Sequence, residues 1–350
     1  MLLAVTACSA TQFIYNRVDI LVRWYLDDYV SLDRDQRARF DQRLEVFLEW
    51  HRSEELPSYV VLLDESLAIL DDDVPLQAAR EMSDRIEEAA IRFQDPFLEL
   101  LLNTGEDLRQ EQRAEFVENL LAKQEEFESD RLARTDREYR DDLEARFDKQ
   151  LKRYMGPLTS EQTARIEQGV AQMTRLDRFW LEDRRVWIEA LANILIAADP
   201  DWPDQVRRLI AGRDEALLPA YRQGIDHNGE VILQLSRDVL IARTDKQDRK
   251  LRGKLTALRD DLAALAEKGS EQGVKPGANP AGPLDFAKTL YSGRQYKTVI
   301  RRSMSCPVWR LCLHWSPCSH RPSVLLKPVG GGRPLVATPG PVGSSLHGAR

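Results

Sequence analysis

Residues 20–57, ILVRWYLDDYVSLDRDQRARFDQRLEVFLEWHRSEELP, decide the fold. The stretch opens on the aromatic residues Trp24, Tyr25 and Tyr29 and takes a Leu-x-x-x-Gln step from Leu32 to Gln36. It then carries Phe40, Leu44, Phe47 and Leu48 at i, i+4, i+7 and i+8. That spacing is the apolar stripe of an amphipathic helix. A looser form of the same step returns at Leu108 to Gln112, followed by Phe116 and Leu120, and at Leu158 to Gln162, followed by Ile166 and Val170.

The chemistry of the step is that of a helix start. Asp33 or Thr159 at the N-cap, with Gln36 or Gln162 three residues later, forms a capping box that satisfies orphan N–H groups. Arg109 has no acceptor and cannot cap in that way, so the copy around Gln112 is weaker. Capping plus core packing accounts for most of the pattern. A partner-binding role for Gln36, Gln112 and Gln162 is the competing expectation.

Working outward, helical periodicity is nearly continuous, and no stretch of the body reads as a strand. A helix is expected over Phe13 to Tyr29, and Pro57 restarts the chain in the first turn of the next helix. Asp71-Asp72-Asp73 breaks it, and a further helix from Pro75 to Phe93 ends before Pro96. One long charged helix is expected from Glu106 to Tyr154, closed by Gly156-Pro157, and a more apolar segment from Thr159 to Ala198. Two helices fit between Asp204 and Arg243. The last carries Leu251, Leu255, Leu258, Leu262 and Leu265, a spacing that needs a partner helix. The fold class is all-α: an elongated multi-helix bundle with long amphipathic helices, followed by a disordered tail.

Charge divides the chain. The whole carries −7, but residues 269–350 hold 11 Lys+Arg against 2 Asp+Glu, a net of +9, which leaves −16 for the first 268. A body that acidic repels nucleic acid. The tail also contains 10 of the 17 prolines and 11 of the 18 glycines, too little apolar patterning to offset its ordering entropy. The abrupt shift also fits a frameshifted reading of the gene's end. Cys306, Cys312 and Cys318 with His314 and His320 lack the close cysteine pair of a zinc knuckle, so no metal is expected.

The N-terminus carries the clearest address. Val5-Thr6-Ala7-Cys8 places an apolar residue at −3, a small one at −1 and then a cysteine, the pattern of a lipobox, although the apolar run ahead of it is short. Residues 1–7 read as the remnant of a signal peptide, 8–11 as a lipidated tether, 12–268 as the helical domain and 269–350 as the tail. No apolar run approaches the roughly 20 residues of a membrane span, so the lipid bilayer would be engaged through acylated Cys8.

For chemistry the sequence offers little. Asp27 and Asp28 beside Trp24 and Tyr29 suggest an acidic, aromatic-lined patch, but adjacent helical residues diverge, so one should pair with an arginine and the other be solvated. His51 follows Trp50 at an expected helix end, where a cation suits the dipole. No G-x-S-x-G, H-E-x-x-H, P-loop or dinucleotide fingerprint is present, and neither an enzyme nor a cofactor is expected.

Two resemblances bear on these residues. Leu158-Thr159-Ser160-Glu161-Gln162 resembles the Leu-Thr-x-x-Gln signature of the Spy/CpxP type of periplasmic helical stress proteins, which implies binding of unfolded clients or of a sensor domain. The lipobox, Arg23 to Tyr29, Gln36, Phe47 to Arg52 and Glu55-Leu56-Pro57 together resemble an uncharacterised family of proteobacterial lipoproteins. That likeness implies an all-helical domain held at the periplasmic face of the outer membrane. The expected function is a non-catalytic binding or chaperone-like lipoprotein, with a scaffold for an assembly or sensor partner as the alternative and a hydrolase as a distant third.

Overall fold

The computed structural model describes residues 10–71 and 73–272, with side chains to residue 268. The signal-peptide remnant, Cys8 and residues 273–350 of the tail lie outside the described residues, and the tail's first four residues, 269–272, continue the last helix. Within them the chain is helical and contains no strand. Two short helices, α1 (Ala10–Tyr15) and α2 (Val18–Asp27), lead into α3 (Arg34–Trp50). There follow α4 (Leu56–Ile69), α5 (Leu76–Glu106), α6 (Gln110–Leu132), α7 (Asp136–Met155) and α8 (Ser160–Gln172). The remainder is α9 (Asp177–Ala197), α10 (Trp202–Ala211), α11 (Arg213–Ala216), α12 (Pro219–Ile241) and α13 (Asp245–Gln272).

Several joints differ from the sequence expectation, each for an identifiable reason. Pro57 does lie in the first turn of α4, as expected, but no break precedes it. Residues His51–Glu55 form a π turn that carries α3 into α4 without a break. Helix α5 runs through Pro96. The proline withholds one backbone donor, but Phe93, Phe97 and Leu100 pack on the Phe40–Leu44–Phe47 face of α3, and that burial opposes a helix-breaking cost of about 3 kcal/mol. The long charged helix is two helices, because Thr135 and Glu138 form a capping box that starts α7. The apolar segment is also two helices. Between them the Thr174 N–H donates to Asn228 Oδ1 and Asn228 Nδ2 donates to the Thr174 carbonyl, both at 2.8 Å.

The core is distributed. One cluster joins α3 and α5 around Phe40, Leu44, Phe47 and Leu100. A second joins α5, α6, α9 and α10 around Leu102, Leu120, Ile188 and Trp202. A third gathers Leu70, Val74, Met155, Ile166, Val170, Leu235, Val239 and Leu251. A small fourth seats Leu56 against Leu265 and Ala266. The leucines of α13 thus find their partner in α4, while α6 packs on α9 and α8 on α12. Gly156 closes α7 at φ +90°, a conformation costly for any residue with a Cβ.

Candidate functional site

The Gln steps assemble into two clasps. Gln36 Nε2 donates to Gln112 Oε1 and Gln112 Nε2 donates to Gln36 Oε1, both at 2.8 Å. Each Oε1 also accepts from the backbone N–H at the start of its own helix, Asp33 or Arg109, at 3.0 Å. Each Nε2 also reaches across to a carbonyl just ahead of the partner helix, Gln36 to Asp107 and Gln112 to Ser31, both at 2.7 Å. Arg109, with no acceptor for capping, instead sends its guanidinium to Asp33 at 2.6 Å. Asp107 is gripped by Arg39 and Arg43. Partial burial pushes its carboxyl up, but the arginine hydrogen bonds more than offset this and hold it below the usual carboxylate range.

Gln162 takes no part in that clasp. It builds a second one with Gln247, a residue the sequence reading passed over. Gln162 Nε2 donates to Gln247 Oε1 at 3.2 Å and Gln247 Nε2 to Gln162 Oε1 at 2.8 Å. The N–H groups of Thr159 and Thr244 serve the two Oε1 atoms at 3.0 and 2.9 Å. The crossing bonds run from Gln247 to the Pro157 carbonyl at 2.8 Å and from Gln162 to the Ala242 carbonyl at 3.3 Å. In all four cases the accepting carbonyl lies two residues ahead of the partner helix's N-cap. The signal for Gln247 was present as Thr244-x-x-Gln247. It was masked because Arg243 stands where the other steps have leucine. All four glutamines are buried, and the clasps use both atoms of each amide.

The aromatic lead-in is partly surface. Trp24 is 66% exposed. Tyr25 and Tyr29 share a hydroxyl contact at 3.2 Å, and Tyr29 lies against Phe116 with ring centroids 5.8 Å apart. Burial, reinforced by Tyr25, pushes the Tyr29 phenol well above its ordinary range. Asp27 pairs with Arg37 at 2.7 Å, whereas Asp28 is mostly exposed, 3.8 Å from Lys123. The two carboxylates therefore do not converge. Asn119 Nδ2 ties α6 to this segment through the Tyr29 carbonyl at 2.9 Å.

His51 is not a cation at a helix end. It lies buried in the π turn, ringed by Tyr15, Phe47, Trp50, Tyr59 and Phe93. Desolvation, aided by the Arg52 charge, lowers its pKa to about 4, while burial pushes the Tyr15 phenol up to about 12. A neutral ring and a protonated phenol make one assignment natural: Tyr15 O–H donates to His51 Nδ1 at 2.7 Å. Trp50 is half-buried in the α3–α5 cluster. One turn on, buried Glu55 accepts from Arg92 Nε at 3.0 Å.

This placement has a pH consequence. The unfolded imidazole takes up its proton near 6.5, the folded one only near 4, so between those values the unfolded state binds more protons. Stability should therefore fall on acidification, with the His51 part worth about 2 kcal/mol between about pH 7.5 and about pH 5. Glu87, whose carboxyl burial and the acidic neighbours Asp84, Asp214 and Glu88 raise to about 7, works the other way over an overlapping range. Urea unfolding of wild type and His51→Gln at both pH values isolates the histidine. Equal acid losses in the two proteins would contradict a buried neutral ring.

Two clefts open on the surface of the described residues. An open cleft of about 290 Å³ is lined by Asp141, Glu144, Asp148 and Glu167 with Thr163 and Ile166. Another of about 200 Å³ is lined by Arg85, Glu88 and Arg92 beside Ser58, Val61 and Leu62. Among the described residues no group of three or more His, Cys, Asp or Glu is placed to hold a metal, and no helix is long and apolar enough to cross a membrane.

Fold and geometry define an all-helical protein whose helix starts are joined in pairs by buried amide clasps. Residues 28–222, more than half of the chain, match a family of unknown function (DUF6279), and the protein belongs to that family. No curated protein and no solved structure matches it. The matched span includes Gln36, Trp50, His51, Gln112 and Gln162, but ends before Gln247.

Proposed function

We propose that the protein is a lipid-anchored binding protein of the cell envelope, held through Cys8 at the periplasmic face of the outer membrane and without catalytic activity of its own. The observation that carries this reading is the lipobox Val5-Thr6-Ala7-Cys8 directly ahead of α1 and α2, whose Phe13, Ile14, Ile20, Trp24 and Tyr25 are left exposed. Such a cluster of apolar side chains on one element marks a contact surface. The non-catalytic reading is supported by His51, which is caged and neutral, and by Asp27, which is paired with Arg37.

One observation favours the scaffold form over the chaperone-like one. The glutamines that resemble the Spy/CpxP signature are buried in clasps, and a chain with 5 methionines in 350 residues lacks the soft, repacking surface of promiscuous binders. The partner is then a folded protein rather than an unfolded client. Changing Cys8 to Ser in a chain secreted with a full signal should move it from the membrane fraction to the soluble one. Retention in membranes would refute anchoring. Light scattering of a reduced, aggregating client should show little suppression by the wild-type domain, and strong suppression would restore the chaperone form.

A further inference from the structure

We infer that the outer face of α1 and α2 lies on the bilayer surface next to the anchor, so that the protein is docked flat against the membrane rather than hung from it on a free tether. The inference rests on the anchoring reading above. Its own observation is the face itself. Phe13 is 51% and Ile14 56% exposed, and with Ile20, Trp24 and Tyr25 they contribute five of the large exposed apolar residues from one 18-residue segment. Segment 10–27 is two short helices joined by a turn at Asn16 and Arg17, where Arg17 leaves helical geometry at φ −125° and ψ 11°, and hydrogen bonds from Asn16 to Gln12 and from Leu21 to Arg17 hold the junction close. Within α2, Ile20 and Trp24 recur at i and i+4 on one side with Tyr25 at its edge, and α1 adds the exposed Phe13 and Ile14 ahead of the turn.

The opposite side is committed to the body. Tyr15 bonds His51, Gln12 donates to Asp261 at 3.1 Å, Arg23 pairs with Asp41, and Val22 and Leu26 pack into the α3–α5 cluster. The segment cannot roll over to hide its apolar face without giving up these contacts.

Chain geometry selects the occupant. Ala10 begins α1 only two residues after Cys8, and two extended residues reach at most about 7 Å. A thioether-linked lipid on Cys8 would hold the start of α1 at the headgroup level. From there to Trp24 the path through the two short helices is only on the order of 20 Å, so the segment lying in the interface keeps all five side chains within reach. Tryptophan and tyrosine favour that depth, with the ring in the acyl boundary and the polar atom in the headgroups. Arg17, stacked 3.7 Å over the Phe13 ring, brings a cation to the phosphates. The acidic body discourages approach to strongly anionic lipid, so the contact is apolar and suits a zwitterionic surface.

The test uses the acylated full chain, recovered from membranes and reconstituted in phosphatidylcholine vesicles with brominated acyl chains, beside Trp24→Phe and a Phe13→Ser/Ile20→Ser/Trp24→Ser variant. Bromine should quench a fluorescence component in wild type that is missing from Trp24→Phe. Amide exchange over residues 10–27 should be slowed by vesicles in wild type and restored in the triple-serine variant, with unchanged circular dichroism. If the chain floats with vesicles but quenching is the same in wild type and Trp24→Phe, docking is refuted and anchoring stands. Failure of the acylated chain to float refutes anchoring and the docking built on it. Sedimentation as a dimer, with Trp24 shielded before vesicles are added, would give the face to a second copy and also refute docking.

Discussion

Replacing Gln247 with Ala should destabilise the protein by about 3–4 kcal/mol, well beyond the roughly 0.5–2 kcal/mol of a lost helix cap. The substitution deletes the hydrogen bond from the Thr244 N–H, strands the Pro157 carbonyl, and removes both amide–amide bonds to Gln162, whose Nε2 keeps only the 3.3 Å contacts to the Val239 and Ala242 carbonyls and whose Oε1 keeps only the Thr159 N–H. A buried polar group left unsatisfied costs more than its hydrogen bond contributed. Gln162→Ala should cost a similar amount, and the double variant should fall short of additivity by at least about 1 kcal/mol, since both changes delete the same two amide–amide bonds. Gln36 and Gln162 share no partner, so that pair should add to within about 0.5 kcal/mol. Urea unfolding followed by circular dichroism measures all of these. Additivity of Gln162 with Gln247 would mean that the amides cap their helices independently.

The other large effect is expected at Asp177. It sits in the first turn of α9 with its side chain only 7% exposed, and accepts from Arg134 Nη2 at 2.9 Å and Arg175 Nε at 3.2 Å. Arg131 lies within its field, and its guanidinium is already made less basic by burial. Asp177→Ala leaves these cations facing one another around a vacated anion, which should cost about 3 kcal/mol. Surviving pairs from Arg134 to Asp142 and from Arg175 to Asp136 keep the cost from being larger. Asp177→Asn, which retains an acceptor, should cost clearly less. A loss below about 1 kcal/mol for the alanine variant, the range of a surface pair, would contradict a buried network.

Much of this architecture was legible in the chain. Helical class, the amphipathic face of α3 and the leucine seam of α13 follow from spacing alone, because a face that must be buried writes its period into the sequence. The helix starts at Asp33 and Thr159 were legible from their caps. Readings failed where tertiary contact overrides a local signal: Pro96 is carried through by the phenylalanines around it. The clasps were half visible. A Thr-x-x-Gln step announces a helix start, but nothing local says which two starts meet, so Gln162 could not be assigned to Gln247 rather than to Gln36. His51 was misplaced for the same reason, since its environment comes from Tyr15 and Phe93, distant in sequence.

The functional proposal depends first on the anchor. Its most direct test is the mass of the N-terminal peptide of the protein recovered from the membrane fraction. The expected peptide begins at Cys8 and carries a diacylglyceryl group on Sγ and an acyl group on the amine. A peptide retaining residues ahead of Cys8, or an unmodified Cys8, would contradict the lipid anchor and the bilayer contact inferred for α1 and α2.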